Sequence, residues 1–180
     1  MVGMIKIDDA LFSNDFRSSE HLGQLITQVA GRAGREKLPG EVYLQTAHPE
    51  HPLLTLLLQK GYSHYARILL DERKNTEFPP FSYLALVRSE SHSLEKNQEE
   101  LKKIKRLLEP FEQTNPTFHC LGPFPAFLAK RGGMYRSCLL IQAENRQPLH
   151  QALNELQQFL KAHPLKKTRL FFDVDPIELD

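Results

Sequence analysis

Cysteine is scarce in this chain: Cys120 and Cys138 are the only two among 180 residues, too few for a disulfide framework or a four-cysteine zinc site. No glycine is followed by Lys-Ser or Lys-Thr, so there is no P-loop to cradle phosphates, and no Asp-Glu-x-His-type segment occurs to hold magnesium. No apolar stretch approaches the roughly 20 residues of a membrane span. The apolar start, Met1 to Ile5, is too short for a signal peptide and runs into Asp8 and Asp9. These absences make a reducing cytoplasm the expected home and a membrane partner unexpected. Charge of neither sign prevails, with 23 basic against 22 acidic residues and a net charge of +1, so any polyanion site must be a local patch. No internal repeat or low-complexity tract is evident.

What is present alternates in period. Val2 to Ile7 reads as a buried strand, Glu20 to Ala33 as a helix behind the N-cap candidates Ser18 and Ser19, and Glu41 to Gln45 as another strand. Leucine-rich His51 to Lys60 reads as a short helix, and Tyr62 to Lys74 as a linking helix that Pro79-Pro80 must stop. From Phe81 the expected order is strand 81–88, helix 93–108, strand 117–121, strand 135–143, helix 148–163 and strand 168–174. Leu94, Leu101, Ile104 and Leu108 form one apolar stripe, and Leu149, Leu153, Leu156 and Leu160 another. A β-α-β-β-α-β order predicts a ferredoxin-like, split βαβ sandwich, its helices covering one sheet face and leaving the other for recognition. The domain scheme is an α/β part over 1–60, a linking helix and Pro-Pro boundary over 61–80, and an α+β domain over 81–180.

The most informative segment is Gln28-Val29-Ala30-Gly31-Arg32-Ala33-Gly34-Arg35. Leu22, Leu25, Ile26, Val29, Ala30 and Ala33 repeat at helical spacing, while Gln28, Arg32 and Arg35 fall on a separate stripe provided the helix lasts through Gly34. One face then packs and the other meets a polyanion. The plain alternative is a solvated helix end, its arginines facing the C-terminal dipole and its glycines capping it.

Gln-x-x-Gly-Arg-x-Gly-Arg resembles the last signature motif of superfamily 2 helicases. More narrowly, the chain resembles the C-terminal part of the PriA (primosomal protein N′) family of replication-restart helicases. The likeness continues through Ala10-Leu11-Phe12-Ser13, the run His48-Pro49-Glu50-His51-Pro52-Leu53, Lys60-Gly61-Tyr62, Glu72-Arg73 before Pro79-Pro80, Leu121-Gly122-Pro123, Lys130-Arg131-Gly132-Gly133 and Asp173-Val174-Asp175-Pro176. It implies that residues 1–60 are a remnant of the second RecA-like motor lobe and that residues 81–180 bind DNA or partner proteins. By that resemblance Arg32 and Arg35 contact the γ-phosphate as it transfers and Gln28 positions water or phosphate. ATP and magnesium are then needs of a longer parent protein. None is expected bound to this chain, which lacks the family's zinc module and is expected to be inactive as an ATP hydrolase on its own. The first residue is expected to fall just beyond the preceding helicase motif. Implied partners are branched and single-stranded DNA, single-stranded DNA-binding protein and other primosome proteins, serving primosome assembly at stalled forks. The alternative is a self-standing nucleic-acid- or protein-binding module without motor function.

A second constellation lies in the stretch Leu121 to Ala143, which contains no acidic residue. Lys130, Arg131 and Arg136, mounted with Tyr135 on a Gly132-Gly133 turn, suit phosphates and a stacked base. The family likeness favours that role over a merely solvated hairpin tip, although several relatives carry a basic residue where Met134 stands here. Other clusters read as structural. His48 and His51 have no third ligand at metal spacing, so no metal site is expected. His119, Cys120 and Cys138 are expected in core strands. Glu99 and Lys103 form an i,i+4 pair on a face that also carries Lys102, Lys105 and Arg106, a secondary DNA candidate. Asp173 and Asp175 read as turn or docking residues.

Overall fold

The structure, a computed structural model, describes residues 2–13, 15–33, 41–177 and 179. It divides into two units between Thr76 and Glu77.

The first unit contains β1 (Val2–Met4), α1 (Asp8–Leu11), α2 (Ser18–Ala33), β2 (Val42–Leu44), α3 (Pro52–Lys60) and α4 (Tyr62–Asn75). β1 and β2 pair in parallel, Val2 opposite Val42 and Met4 opposite Leu44. The expected first strand is cut short because the chain turns at Lys6 into α1. Ser18 and Ser19 do not cap α2. Asp15 precedes it instead, its carboxylate accepting from the Arg17 amide at 2.8 Å and its carbonyl from the Ser18 amide at 3.0 Å. α3 opens with Pro52 at its first position, where a missing N–H costs nothing. Ile7, Leu11, Leu22, Ile26, Leu54, Leu57, Tyr65 and Leu69 form the core. The α2 stripe is thus narrower than expected, since Leu25 faces out. α4 gives Tyr65 and Leu69 to this core, and the chain leaves it at Thr76, inside the 61–80 segment that the sequence assigns to the boundary.

The second unit runs β3 (Tyr83–Ser91), α5 (Leu94–Thr114), β4 (Phe118–Arg131), β5 (Met134–Ala143), α6 (Arg146–Ala162) and β6 (Thr168–Val174). Its four-stranded sheet has the order β4-β5-β3-β6, with every neighbouring pair antiparallel. This is a mixed α+β unit with split βαβ connectivity. Ala85, Val87, Leu139 and Ile141 pack under Leu101, Ile104 and Leu108 of α5 and Leu149, Ala152 and Leu156 of α6.

Three elements of the second unit outrun their expected ends, β3 by running on to Ser91. α5 continues through Pro110 to Thr114, with Leu107 and Phe111 packed on the core. β4 runs through Gly122, Pro123 and Pro125 by shifting register against β5 there, where bulges tolerate residues that a regular ladder does not. The sheet face away from the helices is not left open as expected: Leu84, Leu86, Cys138 and Leu140, at its centre, are all buried.

Candidate functional site

Two sets of expected site residues fall in separate units. In the first, α2 buries Leu22, Gly23 and Ile26 and turns Gln28 and Arg32, one helical turn apart, to solvent. Gly34 and Arg35 lie outside the described residues. The N-terminal end of α2 is anchored by Glu20, which accepts from Arg73 of α4 at 2.5 Å. Arg73 also lies 4.9 Å from the Phe16 ring centroid. The exposed arginine end therefore extends from a helix that is fixed at its start.

The second set sits on the β4–β5 hairpin. Gly132 (φ 56°) and Gly133 (φ 76°) form its two-residue tip, a turn that needs positive φ at both central positions. Lys130 lies opposite Tyr135, and Arg131 opposite Met134. Because side chains alternate across a strand, the expected cluster divides between two faces. Lys130 and Tyr135 share the helix-side face, where Lys130 Nζ stands 4.8 Å from the Tyr135 ring centroid and 3.5 Å from its hydroxyl oxygen. Arg131 and Arg136 belong to the other face. Arg136 is also bound there, its Nε donating to Glu90 of β3 at 3.2 Å.

Sequence reasoning missed two residues of this site. Glu90 joins the acid-free stretch only in space: the β3–β5 register sets it directly opposite Arg136. Nothing in the local sequence announces that register. Asn97 could have been found, because it occupies the apolar stripe of α5 one turn before Leu101. Fully buried, it hydrogen-bonds the Ser89 hydroxyl through Oδ1 and donates from Nδ2 to the Ser89 carbonyl at 3.2 Å and the Tyr135 carbonyl at 2.9 Å. It ties the base of the hairpin to α5 and β3. Lys105, one of the cations on the helix face expected as a secondary DNA candidate, donates to the Gly122 carbonyl at 3.1 Å and so staples the β4 bulge. Lys103 pairs with Glu100 at 2.9 Å rather than with Glu99.

The remaining clusters are structural. His48 and His51 meet Phe12 edge-on, with ring centroids 4.7 and 5.5 Å away. Asp8 accepts from the Thr46 hydroxyl and from the Ala47 amide at 2.9 Å, and these hydrogen bonds, the amide first, hold its carboxyl below the usual range. Among the described residues no three His, Cys, Asp or Glu side chains gather as a metal site. Cys120 and Cys138 are buried, and burial pushes the Cys120 thiol up to about 12, with Glu112 adding to the rise. A protonated, enclosed thiol is no nucleophile. Asp173 accepts from Arg88 at 3.1 Å. Among the described residues no helix is long and apolar enough to cross a membrane.

A family model described as the primosomal protein N C-terminal domain matches residues 74–177, which is the second unit with its hairpin and only the last residues before it. The chain belongs to this family. Similar proteins include the replication restart protein PriA of Haemophilus influenzae, 41% identical over 179 residues that cover 99% of this chain and 24% of that protein. That of Synechocystis is 32% identical, over 100% of this chain and 21% of its own length. That of Bacillus subtilis is 30% identical, over 98% and 22%. The chain thus spans about a fifth to a quarter of the length of these relatives, and the similarity extends beyond the family domain into the first unit, where the arginine helix lies.

Proposed function

We propose that this chain is part of an ATP-dependent DNA helicase that assembles the primosome and restarts stalled replication forks in the cytoplasm. In this reading residues 1–60 belong to a RecA-like motor lobe and the second unit binds DNA and partner proteins. The observation that carries it is the division of α2 into a buried face and an exposed Gln28–Arg32 face in a chain similar along its whole length to proteins named for replication restart. Arg32, with Arg35, supplies guanidinium charge to the transferring phosphoryl group, and Gln28 orients water or phosphate. The described residues do not fit the holding of ATP and magnesium: they gather no metal-ligating cluster, and the sequence has no P-loop. The arginines therefore act on a nucleotide held elsewhere in a longer protein, and this chain alone is inactive. In such a parent, Arg32→Ala lowers turnover by something on the order of 10³-fold while nucleotide binding persists. Undiminished turnover at saturating ATP and DNA would reduce Arg32 to a helix-end charge.

The hairpin is the polyanion contact of the second unit. Lys130 and Arg131 meet phosphates from opposite faces of the tip, and Tyr135 offers its ring to a base or to an aromatic side chain of a partner such as single-stranded DNA-binding protein. Arg136 joins them only by sharing Glu90. Fluorescence anisotropy with single-stranded and forked DNA at several salt concentrations tests this. Lys130→Glu with Arg131→Glu weakens binding and flattens the salt dependence by roughly 0.7 in log-log slope per contact, whereas Glu90→Gln, by releasing Arg136, strengthens it. Unchanged affinity in a folded Lys130→Glu, Arg131→Glu variant would move the interface to the Lys102 and Arg106 face of α5.

A second reading, a self-standing binding module, is favoured by the separate core of the second unit and by a family match almost confined to it. Finding P-loop and magnesium-binding segments upstream in the same reading frame would favour the first reading, and their absence from that frame the second.

A further inference from the structure

We propose that the hairpin contact continues across the sheet to β6, so that one single strand of DNA crosses this end of the second unit with its phosphates on Arg131, Arg136 and Arg169 and a base on Phe171. This rests on the reading of the hairpin as a polyanion contact and adds the kind of strand it takes. Glu90 of β3 lies opposite Arg136 in β5 and opposite Arg169 in β6. Residues directly opposite each other share a face, so the three form one row on the face away from the helices. Arg131 enters that face at the adjoining row, opposite Met134. Neighbouring strands lie about 4.8 Å apart, which sets the Arg136 and Arg169 backbones about 10 Å from each other. Arg131 stands diagonally from Arg136, about 7–8 Å away. Three long cationic side chains at these intervals follow a line across the strands, a path that a phosphate backbone can track.

Charge along this line is unbalanced. Glu90 is engaged by Arg136 at 3.2 Å, whereas the exposed Arg169 side chain has no ion-pair or hydrogen-bond partner among the described residues. Lys166 and Lys167, also exposed, precede it in the loop from α6. Toward the centre of the sheet the balance returns, because Asp173 is held by Arg88 and Leu84, Leu86, Cys138 and Leu140 are buried. The path therefore runs along the end of the face and not over its middle. Phe171 lies on the same face, two residues on from Arg169, and is 48% exposed. Cations that track a backbone beside a ring free to stack on a base suit an unpaired strand. A duplex keeps its bases paired inside and would leave that ring unused.

The chain has no tryptophan, so Phe171→Trp places a lone reporter at the stacking position. In the full chain, oligothymidylate should quench its fluorescence, and a duplex of equal length should not. Anisotropy of labelled oligothymidylate at several salt concentrations gives the second reading. Phe171→Ala weakens binding roughly ten-fold at unchanged salt dependence, because a stacked base carries no charge, and Phe171→Tyr keeps the affinity. Arg169→Ala weakens binding and flattens the log-log slope by roughly 0.7. If Lys130→Glu with Arg131→Glu weakens binding while Arg169→Ala and Phe171→Ala change neither affinity nor slope, the hairpin contact stands and its extension to β6 is overturned. Indifference to the hairpin pair, whatever the β6 variants do, overturns the hairpin reading and the continuous path with it. Quenching by the duplex as strong as by the single strand overturns the choice of ligand.

Discussion

Gly23→Ala ought to stabilise a helix, and in this fold it does the opposite. Gly23 lies on the buried side of α2, where an added Cβ would stand 2.4 Å from Cε1 and 2.9 Å from Cδ1 of Tyr65. Carbon atoms in contact prefer about 3.5–4.0 Å, so the ring must retreat by about an ångström. Tyr65 has little room for that: it is 1% exposed within the first core, and its hydroxyl donates to the Ser19 carbonyl at 2.5 Å. Alanine gains about 1 kcal/mol in helix propensity. Overpacking costs typically about 1–3 kcal/mol, and the endangered Tyr65 hydrogen bond about 1 more. The clash wins, and the first unit loses about 1–3 kcal/mol. Gly31→Ala is the control on the same helix, because a Cβ there meets nothing within 4 Å; it should gain up to about 1 kcal/mol. Urea unfolding followed by circular dichroism reads both as midpoint shifts at constant slope. Placing Gly23→Ala in a Tyr65→Leu background should remove most of its penalty. If Gly23→Ala proves as stabilising as Gly31→Ala, α2 does not pack closely on α4.

Asn97→Ala should cost the second unit about 2–4 kcal/mol, because it takes the acceptor from the buried Ser89 hydroxyl and a donor from the Ser89 and Tyr135 carbonyls. Hydrogen exchange should quicken at the base of the hairpin, Asn97→Asp should not rescue it because the Nδ2 donor is gone, and a loss below about 0.5 kcal/mol would dismiss the clamp. Cys120 and Cys138 should resist thiol reagents in the folded chain and react promptly in denaturant; rapid labelling at neutral pH would contradict their enclosure. Because the folded Cys120 keeps its proton up to about 12 from an ordinary value of 9.0, the unfolded state binds fewer protons between those values. Stability should therefore fall as pH rises through that window, and Cys120→Ser should flatten the fall.

Legibility in the sequence followed the range of the interactions. Leu101, Ile104 and Leu108 and the tight Gly132-Gly133 turn are set by neighbours a few residues away and are where periodicity and turn chemistry put them, whereas Leu94, expected on the same stripe, is exposed at the start of α5. The pairing of Arg136 with Glu90 depends on how two strands far apart in sequence align, so an acid-free stretch of sequence is not acid-free in space. Pro110, Gly122 and Pro125 lie beyond the ends expected for these elements, yet core packing carries α5 past the first and bulges carry β4 past the others. In α2 periodicity located the helix but overstated its buried face: Leu25 is apolar and still faces water, while Gly23 is buried because only a residue without a side chain fits beneath Tyr65.

The Asn97 clamp has a thermodynamic consequence for whatever the hairpin meets. With the Tyr135 carbonyl tied to α5 and the tip closed by the shortest common hairpin turn, only residues 131–134 project beyond the last fixed point. So short an arm has little backbone freedom left to lose on contact. Ordering a floppy loop subtracts from affinity, and here that subtraction has been made during folding, so a few cations at the tip could hold a polyanion that the same residues on a long, mobile loop would release.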